Sequence, residues 1–176
     1  MIKALVFDMD GVIIDSEPIQ CEIAVEVLRS FGGEPREHEI HEFVGVTNQA
    51  MWPILKERHK LDATVEEMLE RHQEYKKRRF SQERIEPIDG IRDLIKKAVD
   101  SGLKIALATS SPKFLAEHIL KSTGMLPWFD VLVTADDITR SKPDPEIYLK
   151  AAQLLGVDPG SCVAIEDAEL GMQSAK

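Results

Sequence analysis

The segment MIKALVFDMDG, residues 1–11, places two aspartates, Asp8 and Asp10, directly after a short apolar run. The apolar residues from Ala4 to Phe7 predict a buried β-strand. Side chains alternate along an extended chain, so we expect both carboxylates on one side, with Met9 between them. Two carboxylates this close repel each other, and burial strengthens the repulsion. The pair therefore indicates a site with a counter-charge.

Three more β-rich runs follow, with helical segments between them. This alternation predicts an α/β fold with a Rossmann-like parallel sheet covered by helices. Three of the four runs end in polar residues, and ligands of such sheets bind beyond the carboxyl ends of the strands. One site could therefore collect all three polar clusters. The predicted strands are Lys3–Phe7, Leu103–Thr109, Val131–Thr134 and Cys162–Glu166.

Residues 16–86 do not follow this alternation, because their apolar residues recur at helical spacing and no strand-like run is present. We therefore predict a helical cap domain over residues 16–86, inserted into an α/β core formed by residues 1–15 and 87–176. The last helical pattern starts near Ala168, and such a helix normally leads to another strand. We expect the core to be incomplete at its carboxyl end.

Charge and composition narrow the partners. The 176 residues carry 22 Lys and Arg against 31 Asp and Glu, a net charge of −9. This balance argues against nucleic acid or an anionic membrane as the main partner. Cys21 and Cys162 show no metal-binding spacing, and no targeting segment or membrane span is visible. We expect a cytoplasmic monomer that acts on a small molecule.

The polar clusters suit phosphoryl transfer. Mg²⁺ prefers oxygen ligands and would let Asp8 stay ionised as a nucleophile, with Asp10 as general acid and base. Gly11 allows a sharp turn near the ligand. Thr109 and the backbone N–H of Ser110 are suitable phosphate donors, and Lys142 can neutralise both phosphate and Asp8. Asp167, with Glu166 beside it, would complete the oxygen ligands of the metal.

Four segments in this order resemble the motifs of the haloacid dehalogenase superfamily: DMDGVIIDSE, ALATSS, SKPDPEIY and AIEDAELGM. The chain most resembles its sugar-phosphate phosphatases and β-phosphoglucomutase-like proteins, which have a helical cap. The resemblance implies Asp8 as nucleophile, Asp10 as acid and base, and Thr109 and Lys142 at the phosphate. It also implies Mg²⁺ bound by Asp8, the Asp10 carbonyl and Asp167. Glu166 would act through metal-bound water or as an orienting neighbour.

The resemblance further implies that the cap selects the substrate, and its candidate positions are Glu17, Gln20, Gly45 and Asn48. Val44, Asn48 and Gln20 depart from the residues of β-phosphoglucomutases at sugar-contacting positions. We therefore expect a phosphatase acting on a small phosphorylated metabolite, with a mutase as the alternative. A dehalogenase is disfavoured because Asp10 is present. A non-catalytic binding protein with the same fold is the alternative from another class.

Overall fold

The computed structural model describes residues 1–44, 46–82 and 85–176. Its described residues form a single parallel sheet of four strands in the order β3-β2-β1-β4. The predicted α/β fold with a Rossmann-like parallel sheet is confirmed. The strands are β1 (Ala4–Phe7), β2 (Lys104–Ala108), β3 (Val131–Val133) and β4 (Cys162–Ile165).

Helices occupy the intervals between the strands and the long segment after β1. Among the residues that the structure describes, four short 3₁₀ helices lie in the connections, at Glu39–Phe43, Leu126–Trp128, Ala135–Asp137 and Pro159–Ser161. In the described part of the chain, the α-helices are α1 (Glu17–Ser30), α2 (Asn48–His59), α3 (Val65–Gln82), α4 (Ile91–Asp100), α5 (Lys113–Ser122), α6 (Glu146–Leu155) and α7 (Glu169–Ser174).

The chain divides into two compact units. One comprises Met1–Asp15 and Arg84–Lys176 and holds the sheet, and the other is the helical segment Ser16–Glu83. The division into a cap domain over residues 16–86 and a core over residues 1–15 and 87–176 stays a prediction. Within the described residues, no helix combines the length and the apolar character that crossing a membrane requires.

The core of the sheet unit is built around β1, which lies between β2 and β4. Val6 pairs with Ala106 on one side and with Ala164 on the other. Small alanines in the strands leave room for α6, whose residues Ile147 and Ala151 are fully buried against the sheet. Burial of such apolar side chains is the main driving force for folding. The packing fixes the carboxyl ends of β1, β2 and β4 side by side.

The helical unit is held by packing and by ion pairs. Helix α3 begins with a capping box: the Thr64 N–H donates to Glu67 Oε2 (2.7 Å) and the Glu67 N–H donates to Thr64 Oγ1 (3.1 Å). Farther along α3, Arg79 pairs with Glu22 and Glu26 of α1. These contacts join the first and last helices of the unit.

Candidate active site

Asp8 follows the last residue of β1 and is almost completely buried, with 7% of its surface exposed. The backbone holds it in place, because the Asp8 N–H donates to the carbonyl oxygen of Ile165 in β4 (3.0 Å). Its Oδ1 accepts a hydrogen bond from Lys142 Nζ at 2.7 Å. A buried carboxylate is stable only with such a partner. Asp8 is therefore a buried carboxylate held beside a cation, and its role as nucleophile stays a prediction.

Asp10 lies in the turn that follows β1. Its Oδ2 accepts from the Ser111 hydroxyl at 3.2 Å, whereas Oδ1 is buried with no hydrogen-bond partner among the described residues. An unsatisfied buried carboxylate oxygen is costly and calls for an explanation. The role of Asp10 as general acid and base stays a prediction.

Gly11 shapes the same turn. Its φ of +75° lies in the left-handed region, and its N–H donates to the carbonyl of Ile14 at 2.8 Å. A Cβ at this position would come within 1.9 Å of Asp167 Oδ2. Glycine therefore permits both the turn and the close approach of the Asp167 carboxylate to the backbone. The β1 loop and the β4 loop meet at this glycine.

The loop after β2 brings hydroxyl groups to the same edge of the sheet. Thr109 is fully buried, and its Oγ1 accepts a hydrogen bond from the N–H of Ser111 at 3.0 Å. This bond orders the turn that leads into α5. Ser110 lies exposed between the two residues. The Thr109 hydroxyl still has its own hydrogen to donate, and the exposed Ser110 suits contact with a ligand.

Lys142 lies in the loop before α6 and reaches across the carboxyl ends of three strands. Its ammonium donates to Asp8 Oδ1, to the Ala108 carbonyl at 3.2 Å, and to Glu166 Oε1. An ammonium has three N–H donors, so these contacts use all of them. The side chain is 11% exposed. Lys142 is thus a desolvated cation joined to both Asp8 and Glu166.

Three carboxylates offer a place for a metal ion. One oxygen each from Asp8, Glu166 and Asp167 lies within 4.8 Å of the others. This donor set, made of oxygen atoms alone, fits a hard divalent cation. The Asp10 carboxylate is not part of this cluster, and ligation by its backbone carbonyl stays a prediction. These carboxylates could hold a metal ion through side chains from two adjacent strand ends.

The electrostatics of the site favour a cation. Burial raises the pKa of Asp8 to about 7; Lys142 opposes this rise, while the charges of Glu166 and Asp10 add to it. The pKa of Asp167 is also raised, by partial burial and by the charges of Glu166 and Asp10. Of these four carboxylates, Lys142 pairs with Asp8 and Glu166. A divalent cation among them would favour the ionised forms.

Comparison with known proteins identifies the family to which this arrangement belongs. A family model described as haloacid dehalogenase-like hydrolase matches residues 5–176. The chain belongs to this family. The phosphorylated carbohydrates phosphatase of Thermotoga maritima is 37% identical over 99% of this chain and 80% of its own length. The fructose-1-phosphate phosphatase of Escherichia coli K12 is 31% identical over 98% of this chain and 90% of its own.

A solved structure extends the comparison to the fold. The β-phosphoglucomutase of Clostridium difficile superposes with a TM-score of 0.77 and 26% identity, covering 99% of this chain and 80% of that one. The predicted membership of the haloacid dehalogenase superfamily is confirmed, as is the likeness to its sugar-phosphate phosphatases and β-phosphoglucomutases. The protein is accordingly a phosphoric monoester hydrolase by family and by its similarity to named phosphatases.

The sheet unit of this hydrolase brings together the side chains predicted from the strand ends. Direct contacts or short distances link Asp8, Lys142, Glu166 and Asp167. The charge of Asp10 acts on the same group, because it raises the pKa of Asp8. The roles assigned to these residues, and to Thr109 and Ser110, stay predictions.

The predicted substrate-selecting residues belong to the other unit of the hydrolase. Glu17 and Gln20 lie in the first turn of α1, and Asn48 is the first residue of α2. Gly45 lies outside the described residues. Their part in selecting a substrate stays a prediction.

Three residues of the site in this family member were missed by sequence reasoning. Ser111 donates to Asp10, and the Tyr148 hydroxyl donates to Glu166 Oε1 at 2.5 Å. Gly171 is buried, and a Cβ there would lie 2.0 Å from Glu166 Oε1. Ser111 belonged to the quoted motif ALATSS and could have been found there. Tyr148 and Gly171 also lie in the quoted motifs SKPDPEIY and AIEDAELGM, but their closeness to Glu166 is visible only in the folded chain.

Proposed function

We propose that this protein is a Mg²⁺-dependent phosphatase that hydrolyses a small organic phosphate of the sugar-phosphate class through an aspartyl-phosphate on Asp8. The observation that carries the proposal is the position of Asp8. It is a buried carboxylate that accepts from Lys142 and shares a metal-sized cluster of oxygens with Glu166 and Asp167. The similarity to phosphatases of phosphorylated carbohydrates and of fructose 1-phosphate supports the substrate class.

In the first step, an Asp8 carboxylate oxygen attacks phosphorus and forms a new P–O bond. The bond between phosphorus and the alcohol oxygen breaks, and Asp10 gives its proton to that leaving oxygen. The Ser111 hydroxyl, which donates to Asp10 Oδ2, leaves the buried Oδ1 as the atom that carries the proton. The products of this step are the free alcohol and phosphorylated Asp8.

In the second step, Asp10 takes a proton from water while the water oxygen attacks phosphorus. The P–O bond to Asp8 breaks, which releases inorganic phosphate and restores the Asp8 carboxylate. Throughout, Lys142 and the Thr109 hydroxyl would counter the charge on the phosphoryl oxygens. Mg²⁺ held by Asp8, Asp167 and the Asp10 carbonyl, with Glu166 nearby, would neutralise the phosphate and the surrounding carboxylates.

The test is release of inorganic phosphate from hexose, hexitol, pentose and small-acid phosphates, with Mg²⁺ and with EDTA. We expect Mg²⁺-dependent release that is concentrated on a few substrates. Asp8→Asn removes the nucleophile and should lower the rate at least about a thousandfold. Asp100→Asn is the matched control, since Asp100 is an exposed partner of Lys96 on α4. Release that is unchanged by Asp8→Asn would refute the mechanism.

A mutase is the second candidate, and it rests on the structural similarity to β-phosphoglucomutase. A mutase would pass the phosphoryl group to a second hydroxyl of the substrate and release no phosphate. Isomerised sugar phosphate without free phosphate would therefore favour it. Binding of sugar phosphates with neither outcome, and no effect of Asp8→Asn, would favour a non-catalytic protein.

A further inference from the structure

Tyr148 contacts two site residues at once, although it lies on a helix that packs against the sheet. It is the third residue of α6 and is 8% exposed, within the apolar core that contains Ile147 and Ala151. Its hydroxyl donates to Glu166 Oε1 at 2.5 Å. Its ring centroid lies 5.2 Å from Lys142 Nζ. A packed ring therefore carries a polar tip into the site.

Glu166 has few alternatives to this contact. Its side chain is 3% exposed, and its Oε1 accepts from both Tyr148 and Lys142. The other oxygen, Oε2, accepts from the Ala168 N–H at 3.4 Å. A buried carboxylate needs such donors, and losing one leaves lone pairs unsatisfied. The Tyr148 hydroxyl thus supplies a principal neutral donor to Glu166.

The orientation of Glu166 in turn determines where Lys142 and the metal-binding oxygens lie. The same Lys142 ammonium bridges Glu166 Oε1 and Asp8 Oδ1, so a rotation of Glu166 would displace the cation beside Asp8. Glu166 also belongs to the three-carboxylate cluster. A small change in its position would therefore alter both the ammonium beside Asp8 and the three-carboxylate cluster.

We propose that Tyr148 is a positioning residue that, through its hydroxyl on Glu166 and its ring beside Lys142, holds the ammonium against Asp8 and keeps Glu166 oriented toward the metal-binding carboxylates. The inference rests on the proposed phosphatase function for its kinetic consequences. Tyr148 touches neither the reacting oxygens of Asp8 nor those of Asp10 in the contacts described above. Its rigid packing suits this role, since a supporting residue acts by fixing the geometry of groups that do react.

The decisive variant is Tyr148→Phe, because it removes the hydroxyl and keeps the packed ring. With the best substrate of the panel, we expect kcat to fall about tenfold, the range typical of lost supporting contacts at metal sites. KM should stay within about threefold, since no substrate contact is removed. Calorimetric titration with Mg²⁺ alone should show affinity weakened by about tenfold.

The sequence offers a matched control, since Tyr75 is its other tyrosine. Tyr75 lies on α3 in the helical unit, with its ring against Arg71 and Arg78. Tyr75→Phe removes a tyrosine hydroxyl from the helical unit, so its kinetic constants and its Mg²⁺ affinity should match those of the wild type. Thermal unfolding of both variants checks that the fold is intact.

Two results would overturn the role of Tyr148. One is a Tyr148→Phe variant whose kcat and Mg²⁺ affinity both lie within twofold of the wild type. The other is a Tyr148→Phe variant in which kcat and the melting temperature fall together and KM also changes by more than about threefold, which would reveal a structural role alone. If the wild type releases no phosphate, the proposed function is wrong. The Mg²⁺ titration of the two variants then still decides whether Tyr148 positions the carboxylate cluster.

Discussion

His72 should make the stability of the protein depend on pH between about 4 and 6.5. Its side chain on α3 is 1% exposed, and its ring packs edge-on against Trp52 with centroids 5.7 Å apart. Neither ring nitrogen has a hydrogen-bond partner within the described residues. Burial lowers the pKa of His72 from 6.5 to about 4, and the charge of Lys76 adds to this effect.

The sign follows from proton binding in the two states. Between the two pKa values the unfolded chain binds a proton at this histidine and the folded chain does not, so stability rises with pH. The contribution of His72 to the free energy of unfolding is fully present above pH 6.5 and is lost as the pH falls toward 4. The lowered pKa of His72 makes about 3 kcal/mol of the free energy of unfolding depend on pH. About 2 kcal/mol of it should be lost between pH 7 and pH 5.

The assay is urea-induced unfolding of the wild type and of His72→Phe at pH 7 and pH 5. Phenylalanine keeps an aromatic ring against Trp52 but cannot be protonated. Comparison of the two proteins is needed because the raised pKa of Asp8 contributes a pH dependence of opposite sign. His118→Gln, at a half-buried histidine of α5, controls for the loss of a histidine elsewhere.

We expect the wild type to lose about 2 kcal/mol more than His72→Phe when the pH falls from 7 to 5. His118→Gln should behave as the wild type does. Equal losses in the wild type and His72→Phe would refute the argument, because they would show that His72 is solvated or hydrogen-bonded in the folded protein.

Three further perturbations test other parts of the structure. Gly11→Ala forces a side chain into a left-handed turn and toward Asp167. Chemical unfolding should therefore show that the free energy of unfolding falls by about 1–2 kcal/mol, and calorimetry should show a weaker Mg²⁺ affinity. Unchanged values would contradict the close approach of Asp167 to Gly11. Glu39→Gln removes the fully buried carboxylate of an ion cluster and should destabilise the protein by about 3–5 kcal/mol at pH 7, whereas the exposed Glu42→Gln should have a much smaller effect. Removal of divalent ions with EDTA should abolish phosphate release, and added Mg²⁺ should restore it; full activity in EDTA would contradict the proposed metal requirement.

The sequence predicted the sheet and its polar edge because both follow from short-range patterns. Each strand is an apolar run bounded by polar residues, and parallel strands necessarily present their carboxyl ends at one edge. Asp8, Thr109 and Glu166 could therefore be assigned to neighbouring positions without knowledge of the strand order. The order β3-β2-β1-β4 depends on tertiary packing, which no single run of residues encodes.

The buried ion cluster of the helical unit shows what such patterns miss. Glu39 reads as an ordinary charged residue in a polar stretch, yet its side chain is fully buried and accepts hydrogen bonds from Arg36, Arg58 and His59. Burial alone would raise the pKa of Glu39, but these hydrogen bonds outweigh burial and lower it to about 2. Two of the partners lie about twenty residues away, so only the fold reveals the cluster.

Tyr148 illustrates the same limit inside the site. An aromatic residue on the buried face of an amphipathic helix is normally explained by packing, and α6 satisfies that explanation completely. The polar function of its hydroxyl becomes visible only when β4 places Glu166 2.5 Å away. Residues that attack or ligate can be found from their chemistry and spacing, whereas residues that position them act through distances between separate elements. The comparison of Tyr148→Phe with Tyr75→Phe therefore tests a contribution that the tertiary structure alone makes visible.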